Sequence, residues 1–215
     1  MTFEGIEGSG KTTQLFLLAK RLRTIGFTVV TTREPGGTKI GDEIRRLLLD
    51  PNHRDMEPLT ELFLYSAARA QHVSQVIRPA LASGKIVLCD RYGDATRAYQ
   101  GAARRIPQNI LEKLLPLPTG GLIPQLTLLF DCPVEVGLAR ARKRLDQQAQ
   151  AHEGRFEAET LDFHQRVRKG YLAIARLEPK RVKIIDALKD IAVIEQQVEK
   201  ATAHVVHHYR SSKTH

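Results

Sequence analysis

Residues 3–14 read "FEGIEGSGKTTQ". Inside this stretch Gly5, Ile6, Glu7, Gly8, Ser9, Gly10, Lys11 and Thr12 fit G-x-x-x-x-G-K-[ST] without a gap. Glycines allow backbone turns that a Cβ resists, so successive N–H groups can converge on phosphate oxygens. Lys11 then reaches the outer phosphates, and the Thr12 hydroxyl is placed to bind Mg²⁺. An apolar run precedes the motif and the amphipathic pattern "TTQLFLLAKRL" follows it, so the anion meets the positive end of a helix. Gly5 to Thr13 are the candidate triphosphate-binding residues. Glu7 does not fit that purpose: it puts a carboxylate inside an anion-binding loop. Its bland reading is a solvated loop residue.

Beyond the loop, short apolar runs alternate with longer helical patterns. The runs are "MTFE" (1–4), "FTVVTT" (27–32), "KIVLC" (85–89), "LTLLF" (126–130) and "VKIID" (182–186). Their length and β-branched content suit buried strands. Helical patterns cover roughly 11–25, 38–49, 58–83, 107–116, 134–147, 158–177 and 190–208. The third of them opens on Pro58 and stops at Gly84. Alternating strand and helix predicts an α/β fold, with a five-stranded parallel sheet covered by helices on both faces. No repeat or linker divides the chain, so residues 1–208 are expected to form a single domain. The polar stretch "DQQAQAHEG" (146–154) reads as a flexible surface segment, and 209–215 as a frayed tail. The first strand begins at the first residue, from which we expect a few residues to be missing ahead of it.

The formal net charge is +9, from 33 Lys and Arg against 24 Asp and Glu. Such an excess serves nucleic acid, a membrane surface or a small polyanion, or is merely a solvated basic surface. No apolar stretch is long enough to span a bilayer, and the early glycine-rich motif leaves no room for a signal peptide. A cytoplasmic protein is expected. Cys89 and Cys132 each close an apolar run, which favours buried side chains over a disulfide or a metal site.

Further candidates follow the strands, where ligands collect in open α/β sheets. In "TREPGGT" (32–38), Pro35, Gly36 and Gly37 force a turn and present Arg33 and Glu34 at the sheet edge. The same residues suit a plain turn carrying a surface ion pair. In "FLYSAARAQ" (63–71), Tyr65 and Arg69 lie four apart on one helix face, a spacing able to sandwich a flat base. Equally, Tyr65 can be core and Arg69 can pair with a carboxylate. In "DRYGDATRAYQG" (90–101), Asp90 stands where a metal-linked carboxylate is expected and Arg91 can clamp a phosphate. Thr96 and Gln100, four apart, can read a base edge, and Tyr99 can wall one face of a sugar.

Taken together, "FEGIEGSGKTTQ", "TREPGGT", "YSAAR", "DRY" followed by "AYQG", and "RFEAETLDFHQRVRKGY" resemble the thymidylate kinase family, in that family's order, over about residues 3–187. The resemblance implies a P-loop nucleoside monophosphate kinase fold with a mobile lid at about 143–157. It implies transfer of a phosphoryl group from MgATP to dTMP. Lys11, Arg91 and the loop amides would handle the transferred group, with Thr12 and Asp90 at the metal. Glu34, Pro35, Arg45, Arg69 and Arg91 would surround the acceptor nucleotide, and Tyr65 would stack on thymine. Thr96 and Gln100 would contact the base, and Tyr99 would oppose a ribose 2′-hydroxyl. Ala95 stands where the family often has Ser, which leaves any hydroxyl contact to Thr96. Glu7 would turn outward to the acceptor's 3′-hydroxyl and help to place the arginines. The loop positions Ile6, Glu7, Gly8 and Ser9 include no basic residue. Members of this kind place catalytic arginines in the lid, which implies Arg155, with Arg144 as the second candidate. Arg140 and Arg142 would flank adenine, and "ALKD" after Asp186 would close over it. The resemblance also implies a homodimer using the apolar face of helix 58–83. A kinase of another nucleotide or of a nucleoside is the near alternative. A basic nucleotide- or nucleic-acid-binding module is the distant one, and no nucleic-acid recognition motif supports it.

Overall fold

The computed structural model describes residues 1–148 and 154–211. Part of the expected lid, 149–153, and the end of the expected frayed tail, 212–215, lie outside the described residues.

Five strands form one parallel sheet: β1 (Thr2–Glu4), β2 (Val29–Arg33), β3 (Ile86–Asp90), β4 (Thr127–Asp131) and β5 (Val182–Asp186), in the order β2-β3-β1-β4-β5. Burial on both faces explains why the inner strands β3 and β4 are continuous apolar runs rather than alternating ones. Phe3, Leu88 and Leu128 are fully buried in the central strands. The register brings three strand ends level, because Asp90 pairs with Arg33 on one side and with Phe3 on the other. The loops leaving β1, β2 and β3 therefore emerge side by side at the carboxyl edge.

Helices connect the strands: α1 (Lys11–Thr24), α2 (Lys39–Leu49), α3 (Pro58–His72), α4 (Arg78–Ala82), α5 (Gly93–Thr96), α6 (Gln108–Leu114), α7 (Pro116–Thr119), α8 (Val134–Gln148), α9 (Leu161–Leu177) and α10 (Ile191–Ser211). The Thr38 and Thr160 hydroxyls cap α2 and α9 by accepting from Gly41 N and Phe163 N.

Four helical expectations need correction. The segment 58–83 is not one α-helix. It widens into a π-helical stretch at Val73–Ile77 before α4. Pro79 lacks an N–H and its ring crowds the preceding turn, and the widening lies just ahead of it. The segment 107–116 ends slightly early, at Leu114, and Pro116 opens the separate α7. Residues 93–103, to which the sequence reading assigns no helical pattern, are helical: α5 continues into a π-helical stretch at Arg97–Ala103. The tail is ordered as far as Ser211, since Tyr209 packs edge-on against Phe27 and its hydroxyl donates to the Gly84 carbonyl. Cys89 and Cys132 are free and buried, as expected.

Candidate active site

The loop after β1 is shaped by close approach to α8. Gly8 has φ 67°, and a Cβ there would lie 2.0 Å from the Gly137 carbonyl oxygen. A Cβ on Gly137 would in turn meet the Glu7 carbonyl at 2.6 Å. Glycine at both positions lets the phosphate loop lie directly on the start of α8. Gly10, at φ 87°, turns the chain into α1.

Lys11 is buried and folds back over the loop. Its ammonium donates to the carbonyls of Ile6 at 2.7 Å and Gly5 at 3.2 Å, and to Ser9 Oγ at 3.3 Å. Burial, followed by the charge of Arg91, lowers its pKa to about 8. The Thr12 hydroxyl donates to Asp90 Oδ2 at 2.5 Å. This pair of hard oxygen donors beside the lysine suits a Mg²⁺ that takes its remaining ligands from phosphate and water. Among the described residues no group of three His, Cys, Asp or Glu forms a cage that would hold a metal unaided.

Arg91 adopts φ 70°, the left-handed region a non-glycine residue occupies only when its surroundings hold it there. Its backbone N–H donates to the Phe3 carbonyl at 2.9 Å. Its guanidinium donates to Gly5 O at 2.8 Å, Tyr171 Oη at 3.1 Å and Glu7 Oε1 at 2.9 Å, and lies 5.0 Å over the Tyr99 ring. Glu7 is thus tied to Arg91. Tyr99 Oη also donates to Glu7 Oε1, at 2.5 Å, and His164 Nδ1 faces Glu7 Oε2 at 3.4 Å. Burial opposes ionisation of Glu7, yet Arg91, then His164 and Lys11, hold its carboxyl well below the usual carboxylate range. The His164 Nε2 lies 2.9 Å from the Phe156 carbonyl, an acceptor, so Nε2 carries a proton. His164 Nδ1 and Glu7 Oε2 face each other without a hydrogen bond. The solvated-loop reading of Glu7 does not hold.

On the acceptor side, Glu34 was expected at the sheet edge but is buried. It accepts from Arg69 Nε at 2.7 Å and pairs with His72 Nδ1 at 3.0 Å, while Arg33 stays exposed. The Arg69 guanidinium also donates to Thr96 Oγ1 at 3.0 Å and to the Tyr92 carbonyl at 3.1 Å. Arg69 is 1% exposed, so it does not sandwich a base with Tyr65; its route to a ligand runs through Thr96. Tyr65 is half-buried on the cleft wall, 6.5 Å from the Phe156 ring. Arg45 Nη1 donates to the Pro35 carbonyl at 3.1 Å, across the turn that follows a cis Glu34–Pro35 peptide.

One cleft of about 900 Å³ joins these parts. Glu7, Lys11, Thr12 and Thr13 line it together with Asp90 and Arg91, and so do Glu34, Pro35, Arg45 and Tyr65. Ala95, Thr96, Tyr99 and Gln100 complete the acceptor wall. Arg144 also lines the cleft, half-exposed, with Glu157 at 3.9 Å. Arg155 does not: it is 3% exposed and donates to the Leu48 carbonyl and, at 2.7 Å, to Glu61 Oε2. The arginine matched best by sequence is thus committed to a buried ion pair, and the second candidate faces the cleft. Arg140 donates to the Ala187 carbonyl at 3.0 Å, which joins α8 to "ALKD" where both were expected near adenine. Arg142 is exposed on the same helix.

Sequence reading missed Glu61, His164, Tyr171 and His72. Two of them carried a signal: Glu61 lies at spacing four with Tyr65 and Arg69, and His164 at four and seven with Arg168 and Tyr171.

The thymidylate kinase family model matches residues 3–198. A thymidylate kinase of Geotalea uraniireducens is 53% identical over 201 residues, 94% of each chain. One of Syntrophotalea carbinolica is 56% identical over 187 residues, 87% of each. The crystal structure of thymidylate kinase from Ehrlichia chaffeensis superposes with a TM-score of 0.73 at 35% identity, covering 93% of this chain and 94% of that one. With the family model spanning the phosphate loop, the acceptor wall and α9 alike, this chain belongs to the thymidylate kinase family.

Proposed function

We propose that this chain moves the γ-phosphoryl group of ATP to dTMP, giving ADP and dTDP for dTTP synthesis. The observation that carries this reading is the single cleft in which the phosphate loop and the acceptor wall meet at Arg91. A 5′-phosphate oxygen of dTMP attacks the γ-phosphorus, the bond to the β,γ-bridging oxygen breaks, and ADP leaves in line. No covalent enzyme intermediate is needed. Lys11 and the loop amides orient the triphosphate. Arg91, fixed by Gly5, Glu7 and Tyr171, lies where the two phosphates meet and neutralises the charge that spreads between them. Mg²⁺ bound with ATP, held through Thr12 and Asp90, supplies further neutralisation of the phosphates. Arg144 supplies a second cation from the lid side.

Glu7, on the cleft wall, accepts the sugar's 3′-hydroxyl while holding Arg91 in place. Tyr65 stacks on the thymine, and Tyr99 occupies the space a 2′-hydroxyl would need. The working form is a homodimer that uses the outer face of α3, where Leu59 and Phe63 are exposed. No described helix is long and apolar enough to cross a membrane. The test is ADP release over a panel of nucleoside monophosphates with MgATP. We expect dTMP to be the preferred acceptor, with dCMP, dAMP and dGMP far behind. Preferred turnover of any of those three would replace this reading with the neighbouring one, a kinase of another monophosphate.

A further inference from the structure

Glu61 is fully buried, yet no part of the transfer chemistry uses it. It sits on α3, and four hydrogen bonds from three side chains converge on its carboxylate. Gln100 Nε2 donates to Oε1 at 2.8 Å. Arg104 donates through Nε to Oε1 at 3.3 Å and through Nη2 to Oε2 at 3.1 Å. Arg155 Nη2 donates to Oε2 at 2.7 Å. Both carboxylate oxygens therefore act as acceptors.

This geometry decides which way Gln100 points. A glutamine amide has an acceptor end and a donor end, and packing alone rarely distinguishes them. Here the reversed amide would place two acceptor oxygens 2.8 Å apart in a dry interior. The NH₂ group must face Glu61, which leaves the Gln100 carbonyl oxygen as the atom available to the cleft that Gln100 lines. One helical turn earlier, the Thr96 oxygen accepts from Arg69 Nη1. Its own proton is then free to donate. The wall thus presents one donor and one acceptor side by side. A pyrimidine with a ring N–H next to a carbonyl matches both. Cytosine, with a ring acceptor next to an amino group, matches neither.

We infer that Glu61 is a specificity-determining positioning residue: it fixes the Gln100 amide so that the base wall accepts thymine-type bases and rejects cytosine. The inference rests on the proposed dTMP kinase reading and assigns its base selectivity to a residue that need not touch the substrate. Arg104 and Arg155 act with it, because they demand an acceptor at Oε2.

The decisive variant is Glu61→Gln. Its amide oxygen stays at the Oε2 position with Arg104 Nη2 and Arg155 Nη2, the two shorter arginine bonds, at the cost of the longer Arg104 Nε bond to Oε1, so its NH₂ falls at the Oε1 position, opposite Gln100. Gln100 then reverses to accept from it and turns its own NH₂ into the cleft. The readout is kcat/KM for dTMP and for dCMP by coupled ADP release. In the wild type we expect a ratio on the order of 10⁴, the discrimination a site built to hydrogen-bond its ligand achieves. In Glu61→Gln the ratio should narrow by about tenfold or more, partly through a gain with dCMP, which general loosening of the fold would not give. A folded variant with the wild-type ratio overturns the inference. A wild type that does not use dTMP overturns the functional reading instead, so the two failures are distinguishable. Should the variant not fold, neutron diffraction from the deuterium-exchanged wild-type complex with dTMP reads the amide directly. Deuterons on Gln100 Nε2 facing Glu61 support the inference, and deuterons facing the base overturn it.

Discussion

The Lys11 ammonium is satisfied by two loop carbonyls and Ser9, and burial depresses its pKa to about 8. An unfolded chain holds that proton up to about 10.4. Between these values the unfolded state binds more protons than the native one, so on this account native stability rises with pH from about 8 to about 10.4. The cost of burying the charge is fully present below that window. A triphosphate reverses the balance, because its negative charge favours the ammonium. We predict that MgATP binding at pH about 9 takes up close to one proton, and that binding at pH about 7 takes up almost none. Calorimetry in two buffers of different ionisation enthalpy measures this. Lys11→Ala should abolish the uptake and cut kcat by orders of magnitude while remaining folded. Equal proton uptake in wild type and variant would mean that another group titrates. Lys11 was legible in the sequence because the loop is contiguous. Glu7 was only half legible, because the residues that orient it, Arg91, Tyr99 and His164, are spread over more than 70 positions of sequence.

Elements that bury both faces announced themselves, and those that serve the site did not. The inner strands β3 and β4 were readable as apolar runs because neither face meets water, and the partly exposed edge strands β2 and β5 were readable from their β-branched content. The helix over 93–103 escaped because buried polar side chains interrupt its apolar pattern: Thr96 and Gln100 line the cleft, and Asp94 pairs with Arg181. Its π-helical half also breaks the 3.6-residue period on which such a reading depends. The lid arginines show a different limit. Arg155 matched the family motif, but α3 supplies Glu61 as its partner, a contact across 94 positions that no local pattern encodes. Arg144, on α8, faces the cleft with a half-exposed side chain. We predict that Arg144→Ala lowers kcat by about tenfold to a thousandfold with little change in melting temperature, the cost of losing a cation that acts on the transition state. Arg155→Ala should instead lower stability by about 3–5 kcal/mol, since it breaks a buried pair and leaves Glu61 with one fewer cation. Parallel kinetics and denaturant melts separate the two. A normal melt with a collapsed kcat in Arg155→Ala would return the catalytic role to that residue.

At the scale of the whole molecule, α3 has two working sides. Successive residues turn by about 100°, so Phe63 lies nearly opposite both Glu61 and Tyr65. Glu61, Tyr65 and Arg69 line or brace the cleft, while Leu59 and Phe63, one turn apart, are 49% and 58% exposed. Such an apolar pair is costly to leave in water on a helix whose other face must hold its position. A two-fold interface uses each residue twice, so covering this pair removes four large side chains from water. At about 1.5–3 kcal/mol for each full burial, that is a substantial part of a stable interface even when burial is incomplete. Pairing would also steady the helix that carries Glu61 and Arg69, which links assembly to the acceptor wall. We predict that the protein sediments at about twice its chain mass of 24.1 kDa at micromolar concentration. Phe63→Glu should give monomers, because two carboxylates would be brought together in a desolvated interface. Leu177→Glu, at an 81% exposed position on the end of α9, is the control and should remain dimeric. If Phe63→Glu sediments as the wild type does, the interface lies on another face. If the monomeric variant shows an unchanged KM for dTMP, the outer side of α3 does not support the acceptor wall.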